Sequence, residues 1–564
     1  MENKEYMLID GNPVEINGEK NLLEVIRKAG IELPTFCYHS ELSVYGACRM
    51  CMVENSHGGM EAACSTVPKA GMEIYTNTER LHKHRKMILE LLLANHCRDC
   101  TTCQKNGKCR LQELASLFGL ESIRFKNLKP EPELDTSSLS IIRDAHKCIL
   151  CGDCVRMCNE IQNVGAIDFV NRGSKMVIGP AFNEPIANSP CVGCGQCAAV
   201  CPTGAIVIRK DTGRVWPELN DKNTKVVAQV APAVRVAMAK EFGLPENENS
   251  MGRITAALRR LGFDEVYDTA TGADLTVLEE SNEFLQRIEA GENLPLITSC
   301  CPAWIQYCEK NHPELMKNIS TCKSPMQMFS SVIKAEYANS SRRVVCVAIM
   351  PCTAKKFECA REEFMHDGVP ETDYVITTQE LIQMIHKAGI VFDELEPEAV
   401  DPEFSTSTGA GVIFGVTGGV TEAVLRRLST DKSKKALLSI AFNDVRGMKG
   451  VKETTIPYGD KEVRIAIVSG LKNAEKVIQA LKNGEHFDFI EVMACPGGCV
   501  AGGGQPFGTN ATKEVRGKAL YSADKMLSIK RSEENPLMLS LYDGVLKGRV
   551  HELLHVHYNH KEEE

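Results

Sequence analysis

Two adjacent cysteines, Cys300 and Cys301, lie in the segment TSCCPAW at 298–304. Neighbouring side chains point in different directions on any backbone, so we do not expect both thiols to bind the same metal atom. A cysteine can act as a thiolate ligand of a metal or as a thiol that releases and recovers a proton. The pair could therefore divide these roles between its two members.

The chain has 25 cysteines in 564 residues, and most of them are clustered between Cys37 and Cys201. Disulfides would need an oxidising compartment, and the polar N-terminus MENKEYMLIDG lacks the features of an export signal. Intracellular cysteines in C-x-x-C groups usually bind metals or act as redox centres. We therefore interpret the clustered cysteines as metal ligands and expect a cytoplasmic protein.

Charge and hydropathy exclude two classes of partner. Lys and Arg number 65 and Asp and Glu number 74, which gives a net charge of -9. A binder of nucleic acid or of anionic membranes would need a basic surface instead. No run of 18 apolar residues is present, so we predict no membrane span.

The first cysteine group has the spacing Cys37-x10-Cys48-x2-Cys51-x12-Cys64. Four thiolates carried by a small sheet suit a [2Fe–2S] cluster. A structural zinc ion is the alternative. The long first gap and the glycine in YGACRMC resemble a plant-type ferredoxin domain, which favours the cluster.

The second group has the spacing His96-x3-Cys100-x2-Cys103-x5-Cys109. Three cysteines and one histidine fit a structural zinc ion as well as a cluster. The position of the group between other cluster modules favours a [4Fe–4S] cluster with one histidine ligand. Cys97 adjoins the histidine and is left over.

The third group consists of two similar runs with the spacing C-x2-C-x2-C-x3-C, which is the pattern of two-cluster ferredoxins. In that pattern the fourth cysteine of each run binds the other cluster. The predicted ligand sets of two [4Fe–4S] clusters are Cys148, Cys151, Cys154 and Cys201, and Cys191, Cys194, Cys197 and Cys158. Together with the first two groups they would form an electron relay of four clusters.

The elements that must position these groups follow from the periodicity of the chain. Short alternating runs around the helical segment NLLEVIRKAG predict a small sheet with one packed helix. After about residue 212, buried-strand runs such as VVCVAIMPC alternate with helical segments, which indicates α/β units with parallel sheets. We predict ferredoxin-like modules at 1–80, 81–125 and 138–210, a linker containing KNLKPEPELDTSS, and a two-lobed α/β catalytic domain at 211–564.

Three loops follow predicted strands of that last domain, where open α/β sheets place their sites. They are TSCCPAW (298–304), MPCTAKKFE (350–358) and MACPGGCVAGGGQP (493–506). Together they resemble the three signature motifs of the [FeFe]-hydrogenases. The preceding modules resemble those of the extended, monomeric, clostridial-type members, and the resemblance covers essentially the full chain.

The resemblance implies a catalytic H-cluster, in which a [4Fe–4S] cubane is joined to a two-iron unit that carries carbon monoxide, cyanide and a dithiolate amine. The implied cubane ligands are Cys301, Cys352, Cys495 and Cys499, and Cys499 would bridge to the two-iron unit. Residues implied around that unit are Lys355, Ser324 and Pro325 near the cyanides and Met350 and Met493 packed against it.

Proton delivery is the second implication. A buried site needs groups that load and release a proton near neutral pH. Glu280 and Glu283 are three residues apart on a predicted helix and so share a face, although a solvated helix face would give the same pattern. The resemblance implies the path Glu280, Ser320, Glu283, Cys300, with Arg287 near its outer end.

The implied reaction is reversible reduction of protons to dihydrogen, with electrons from a reduced ferredoxin or flavodoxin and with maturation proteins that deliver the two-iron unit. Alternatives are the hydrogen-active subunit of an NAD-linked bifurcating complex, a hydrogen sensor, an iron–sulfur assembly protein and a respiratory electron-input module. The polar end HELLHVHYNHKEEE favours a stand-alone enzyme. Departures from common residues of the motifs are Ala303, Cys322 and Met326.

Overall fold

The computed structural model describes residues 4–127, 133–429, 445–447, 450–458 and 461–558. Part of the predicted linker, 128–132, lies outside the described residues. The chain divides into two compact units. Unit 1 contains the residues up to Ile161 with Gly165–Ser189 and Val200–Val207, and unit 2 contains Gln162–Val164, Pro190–Ala199 and the residues from Ile208 onward.

Unit 1 begins with the predicted small sheet. Its five strands have the order β2-β1-β5-β3-β4, and β1 pairs antiparallel with β2 and parallel with β5. The side chain of Asn21 accepts from Glu24 N–H and so starts helix α1, whose apolar side is buried against the sheet. The elements are β1 (Glu5–Ile9), β2 (Asn12–Ile16), α1 (Leu22–Lys28), β3 (Met52–Asn55), β4 (Met60–Ala62) and β5 (Glu73–Tyr75).

Two helices and a ferredoxin-like repeat complete unit 1. Helices α2 (Glu79–Ala94) and α3 (Arg110–Leu117) lie on either side of the His-Cys loop, as predicted. A three-stranded sheet has the order β10-β7-β6, and β8 and β9 form a hairpin. These remaining elements are β6 (Leu134–Asp135), β7 (Ile141–Asp144), α4 (Asp153–Arg156), β8 (Asp168–Val170), β9 (Val177–Gly179) and β10 (Ile206–Ile208).

Unit 2 contains the predicted parallel sheets. The first sheet has the order β12-β11-β14-β17, and all its pairs are parallel. The second has the order β13-β20-β19-β18, in which only the edge pair β18–β19 is antiparallel. The strands are β11 (Thr224–Val230), β12 (Glu265–Asp268), β13 (Leu296–Ile297), β14 (Arg343–Met350), β15 (Met365–His366), β16 (Val369–Pro370), β17 (Tyr374–Thr377), β18 (Val451–Tyr458), β19 (Lys461–Ser469) and β20 (Phe489–Met493).

Helices cover the sheets of unit 2, and the longest, α8, has a first half that is buried all round. Within the described ranges, no helix is long and apolar enough to cross a membrane. The helices are α5 (Gln196–Ala199), α6 (Thr212–Asn220), α7 (Met251–Leu261), α8 (Ala270–Ala290), α9 (Pro302–Asn311), α10 (Pro325–Glu336), α11 (Ala354–Glu358), α12 (Thr378–Lys387), α13 (Gly409–Val412), α14 (Gly419–Leu428), α15 (Leu471–Lys482), α16 (Asn510–Met526), α17 (Pro536–Asp543) and α18 (Val550–Leu554).

Candidate active site

A cavity of about 90 Å³ lies in unit 2 where strands of both sheets end. The loops after β11, β13, β14 and β20 line it, together with the N-terminal ends of α8 and α10. The volume is several times what one water molecule requires. The three loops singled out in the sequence therefore meet at one place, at the carboxyl ends of the strands.

Four cysteines of these loops line the cavity: Cys301, Cys352, Cys495 and Cys499. Burial raises the pKa of each thiol, for Cys352 to about 11. Thiolates in such a desolvated cavity need a nearby positive charge, which iron would supply. The donor set therefore fits the cubane that the resemblance implies.

A glycine turn brings Cys495 and Cys499 to the same cavity. Gly498 has φ +90, and a Cβ atom there would lie 2.6 Å from Thr417 N. The backbone can approach this closely only because the residue has no side chain.

The residues expected around the two-iron unit surround the same cavity. Lys355, Pro325, Met350 and Met493 line it. Ser324 is the N-cap residue just before α10, and its buried Oγ atom makes no hydrogen bond, although a serine at that place usually caps the helix. An unsatisfied buried hydroxyl beside a cavity fits a hydrogen-bond donor to a ligand such as the cyanide that the resemblance implies.

Lys355 is held by a buried ion pair that sequence reasoning missed. Its Nζ atom lies 2.8 Å from Glu358 Oε2 and 3.4 Å from the carbonyl oxygen of Cys300. Burial lowers the pKa of Lys355, but Glu358 and the neighbouring thiols outweigh it, so the pKa is raised. The lysine is therefore charged, and the i, i+3 spacing of KKFE is the signal that could have revealed its partner.

Cys300 lines the cavity beside Cys301. Burial raises its pKa well above the usual value, and the charge of Glu280 adds to the effect. Desolvation disfavours the charged thiolate and is the largest cause of this shift. The side chain is held as a neutral thiol, the form that can donate a proton.

Hydrogen bonds connect three residues of the expected proton path. Ser320 Oγ donates to Glu283 Oε2 at 2.7 Å, and Arg287 Nη2 donates to Glu283 Oε1 at 2.6 Å. The amide of Thr321 also donates to both oxygens of Glu283. Of the two glutamates, Glu283 is therefore the one that forms the ion pair with Arg287.

Glu280 is fully buried, and neither of its carboxylate oxygens has a hydrogen-bond partner. Burial raises its pKa to about 8, and the charge of Glu283 adds to this, while the nearby Ser299 amide and Ser320 hydroxyl act in the opposite direction. A carboxyl group with this pKa can be loaded and unloaded near neutral pH.

The structure reverses the predicted order of the two glutamates. Thr269 and Ala273, at the start of α8, line the cavity, so the helix runs outward from it. Glu280 is consequently the inner residue, beside Cys300, and Glu283 lies about 4.5 Å farther along the axis. The geometric order is Arg287, Glu283, Ser320, Glu280, Cys300.

The first [4Fe–4S] set of the ferredoxin repeat is also brought together. Cys148, Cys151, Cys154 and Cys201 line one cavity of about 20 Å³ in unit 1. Cys158 lies in unit 1 on a π-helical turn, Met157–Ile161, whereas its predicted partners Cys191, Cys194 and Cys197 belong to unit 2. The second set is therefore still a prediction from the spacing alone.

Thiols of the first group are close neighbours in pairs. Side-chain contacts join Cys37 to Cys48 and Cys51 to Cys64, and sharing of a proton raises the pKa of one member and lowers that of the other. In the described part of the chain, no three His, Cys, Asp or Glu side chains are arranged to hold a single metal ion.

The second group lies against the ferredoxin repeat within unit 1. Burial raises the pKa of Cys109, with the charges of Cys103 and Cys100 adding to the effect, so the three thiols are neighbours. His96 is buried, and its Nδ1 atom accepts from Arg98 N–H at 3.0 Å. A Cβ atom on Gly204 would lie 2.6 Å from Cys103 Sγ, which shows how closely this group approaches the loop after Cys201.

The segment Pro190–Ala199 packs directly on the loops that line the active-site cavity. Thr353 Oγ1 donates to the Gly193 carbonyl at 2.7 Å, and Gln196 Nε2 donates to the Ala501 carbonyl at 2.9 Å. A Cβ atom on Gly503 would lie 2.4 Å from the Cys194 carbonyl oxygen. The cysteines of this segment are therefore carried next to Cys352 and Cys495.

We expect Gly503→Ala to destabilise unit 2 by about 1–3 kcal/mol, the usual cost of overpacking, because the new methyl group meets backbone atoms that cannot move aside. The denaturation midpoint measures the loss. Gly213→Ala is the matched control, since a Cβ atom at Gly213 in α6 has no neighbour within 4 Å. Equal midpoints for the two variants would contradict the close packing.

A cysteine-lined cavity at strand ends, in an α/β unit that follows ferredoxin-like modules, defines an iron–sulfur oxidoreductase. Residues 224–503 match the family described as "Iron only hydrogenase large subunit, C-terminal domain". Other matches are to a 2Fe-2S iron-sulfur cluster binding domain at 6–79, the NADH-ubiquinone oxidoreductase-G iron-sulfur binding region at 85–124, a 4Fe-4S dicluster domain at 147–209 and the iron hydrogenase small subunit at 510–561.

Similar proteins cover the whole chain. The NADP-reducing hydrogenase subunit HndD of Solidesulfovibrio fructosivorans is 41% identical over 98% of both chains. Iron hydrogenase 1 of Clostridium pasteurianum is 35% identical over 98% of this chain and 99% of its own length. A variant of the [FeFe]-hydrogenase HydA1 of Chlamydomonas reinhardtii has a solved structure that is 37% identical and covers 62% of this chain and 98% of its own, with a TM-score of 0.54.

The chain belongs to the [FeFe]-hydrogenase family, in its extended form with accessory iron–sulfur domains. The match to the iron hydrogenase small subunit at 510–561 indicates a C-terminal module within the predicted catalytic domain at 211–564. No local motif in that module pointed to the active site.

Proposed function

We propose that this hydrogenase-type oxidoreductase catalyses the reversible reduction of protons to dihydrogen in the cavity of unit 2. The observation that carries the proposal is the arrangement of that cavity, where four candidate iron ligands, Cys300 and Lys355 all meet. When bound, the H-cluster would supply the site at which protons and electrons combine.

The residues of the chain hold that group and fix its surroundings. Cys301, Cys352, Cys495 and Cys499 would be the cubane ligands, with Cys499 as the bridge. Lys355 would donate to one cyanide, because its charge is maintained by Glu358. Ser324 and Pro325 would lie near the other, and Met350 and Met493 would exclude water with soft, adaptable side chains.

Protons would pass between the surface and the cavity along Arg287, Glu283, Ser320, Glu280 and Cys300. The hydrogen bonds around Glu283, the elevated pKa of Glu280 and the neutral Cys300 thiol support this order. Each group can hold a proton on an oxygen or sulfur atom, except Arg287, which holds the outer carboxylate in place.

Electrons would travel through one [2Fe–2S] and three accessory [4Fe–4S] clusters. Two observations support the relay: the four thiols around the cavity in unit 1, and the packing of Pro190–Ala199 on the active-site loops. The segment would place the last accessory cluster beside the cubane. The cluster ligands are those that the spacing predicts.

Two electron partners come into consideration. The number of accessory modules suits a ferredoxin or flavodoxin donor. The 41% identity to a protein described as a subunit of an NADP-reducing hydrogenase favours, as a second candidate, an assembly that exchanges electrons with a nicotinamide nucleotide. Native purification followed by size measurement distinguishes them, because only the second candidate requires stable partner subunits.

The decisive experiment for the catalytic proposal uses the protein matured with the family's maturation proteins. We expect infrared bands of metal-bound CO and cyanide, an iron content that matches five clusters, and dihydrogen formation from a low-potential dye. Matured protein without these bands, or with the bands but without dihydrogen chemistry, would contradict the proposal.

Removal of Glu358 should destabilise the protein, because the buried Lys355 then has no charged partner. Glu358→Gln leaves the charge of Lys355 unpaired, and we expect a loss of about 3–5 kcal/mol in the free energy of unfolding. The double variant Lys355→Met, Glu358→Leu should recover most of that stability, because it removes both charges.

Chemical denaturation of the protein checks this prediction. Glu485→Gln, which breaks an exposed ion pair with Arg464, is the control and should cost less than about 1 kcal/mol. A Glu358→Gln variant as stable as this control would show that the buried pair does not maintain the lysine.

A further inference from the structure

The segment after α18 forms a short antiparallel contact with the loop that contains the relay serine. Val556 N–H donates to the Thr321 carbonyl at 2.7 Å, and Lys323 N–H donates to the Leu554 carbonyl at 2.8 Å. The contact belongs to the module at 510–561 that matches the small subunit. The C-terminal module therefore fixes the backbone of the relay loop.

The side chain of His555 lies at the centre of this contact. Its Nδ1 atom is 2.8 Å from Thr321 Oγ1, and its Nε2 atom is 3.1 Å from Glu279 Oε2. Tyr542 donates to the other oxygen of Glu279. With only 8% of its side chain exposed, His555 is held by two bonds that fix both ends of the ring.

The carboxylate that orients this histidine is charged. Burial raises the pKa of Glu279, but the hydrogen bonds from His555 and Tyr542 and the nearby charge of Arg427 outweigh burial, so the pKa lies below its usual value. A charged acceptor makes a stronger hydrogen bond than a neutral one. Glu279 thus holds the Nε2 side of the ring, and the Nδ1 side contacts the hydroxyl of Thr321.

Thr321 connects this arrangement to the relay. Its backbone amide donates to both carboxylate oxygens of Glu283 at 3.1 Å each, and Ser320 donates to one of the same oxygens. A shift of Thr321 would therefore turn the Glu283 carboxylate away from Ser320.

We propose that His555 is a positioning residue for proton transfer: it fixes Thr321, and Thr321 in turn holds Glu283 in line with Ser320. The inference rests on the proposed relay and adds a residue on the C-terminal module to it. Proton-transfer steps depend steeply on the distance and alignment of the groups, so a small displacement lowers the rate.

The test uses the matured full-length enzyme. His555→Ala should lower turnover about tenfold, a modest part of the range for proton-transfer groups. The solvent deuterium isotope effect should rise, because proton delivery becomes slower than the other steps. Iron content and the infrared CO and cyanide bands should stay unchanged.

Two conservative variants distinguish between the two hydrogen bonds of the His555 ring. The shorter amide of His555→Asn can reach Thr321 in place of Nδ1, whereas His555→Gln can reach Glu279 in place of Nε2. We expect His555→Asn to retain more turnover than His555→Gln, because the bond to Thr321 is the one that leads to Glu283. The variants His555→Asn and His555→Gln also provide the test if His555→Ala fails to fold. Equal losses in both, without a larger isotope effect, would overturn the proposal.

A double-variant cycle with Glu283→Gln excludes a general structural effect. If His555 acts through Glu283, its replacement should cause no further loss in the Glu283→Gln background. His551→Ala is the control, since that exposed ring only packs at 4.6 Å against His555. The same fractional loss in both backgrounds would overturn the positioning role. Full turnover of Glu283→Gln itself would instead overturn the relay.

Discussion

Replacement of Cys300 by alanine should abolish most turnover and leave the metal centre intact, whereas replacement of Cys301 should remove the metal centre itself. Cys300 is a partly buried thiol with a raised pKa that lines the cavity. In the proposed path no other thiol of the described residues stands between Glu280 and that cavity. The loss of a positioned proton-transfer group costs about 10²–10⁴-fold in rate.

Iron content, the infrared CO and cyanide bands and turnover together distinguish the two variants. Cys300→Ala should keep the iron and the bands, while Cys301→Ala should lose the iron of the active-site cavity. Cys308→Ala is the matched control, since this cysteine lies on the adjoining helix α9, is fully buried and does not line the cavity. Near-normal turnover of Cys300→Ala with intact bands would refute the proton role.

Glu280→Gln should also cost about 10²–10⁴-fold in turnover, because the amide has nearly the same shape but cannot carry a proton. The substitution should have a second, independent effect on stability. The pKa of Glu280 is about 8 in the folded protein and about 4.3 in an unfolded chain. Between these values the folded state retains a proton that the unfolded state releases.

The sign of the pH dependence follows from this difference. The wild-type contribution of Glu280 to stability is fully present below about pH 4.3 and is lost as the pH rises towards about 8. Glutamine does not titrate, so the stability of Glu280→Gln relative to the wild type should increase from pH 5 to pH 8 and then level off.

Denaturation midpoints across that pH range check the prediction. Glu289→Gln, at an exposed position on the same helix, is the control and should follow the wild type. Parallel pH curves for Glu280→Gln and the wild type would show that the carboxyl group is not kept neutral by burial. Retention of more than a tenth of the turnover would remove it from the relay.

The sequence was sufficient for the elements and for the loops that carry the cysteines. The predicted strand run VVCVAIMPC lies on β14, and the loop that follows it lines the cavity. These features depend on local periodicity and on the rule that parallel strands place their sites at their carboxyl ends. Such rules need no knowledge of tertiary packing.

The order of the relay depended on information that periodicity does not contain. A three-residue spacing places Glu280 and Glu283 on one face, but it does not say which end of α8 points towards the cavity. That direction is set by the packing of Thr269 and Ala273 at the start of the helix. The inner and outer glutamates could therefore be assigned only from the structure.

The roles of Glu358 and His555 were missed for related reasons. Glu358 pairs with a lysine three residues away, but charged pairs at this spacing are usually exposed and carry no functional signal. His555 contacts residues that are more than 200 positions away in the chain. Such a contact leaves no trace in composition, spacing or hydropathy.

The pairing of β13 with β20 also has a consequence for the order of assembly during synthesis. Leu296 lies opposite Phe489, and the cavity receives its fourth cysteine only from Cys499. The cysteines of the ferredoxin-like modules leave the ribosome long before that point, so their clusters can form while the catalytic unit is still incomplete. The cavity can therefore be completed only after Cys499 has been synthesised, and the contact of His555 with Thr321 forms later still.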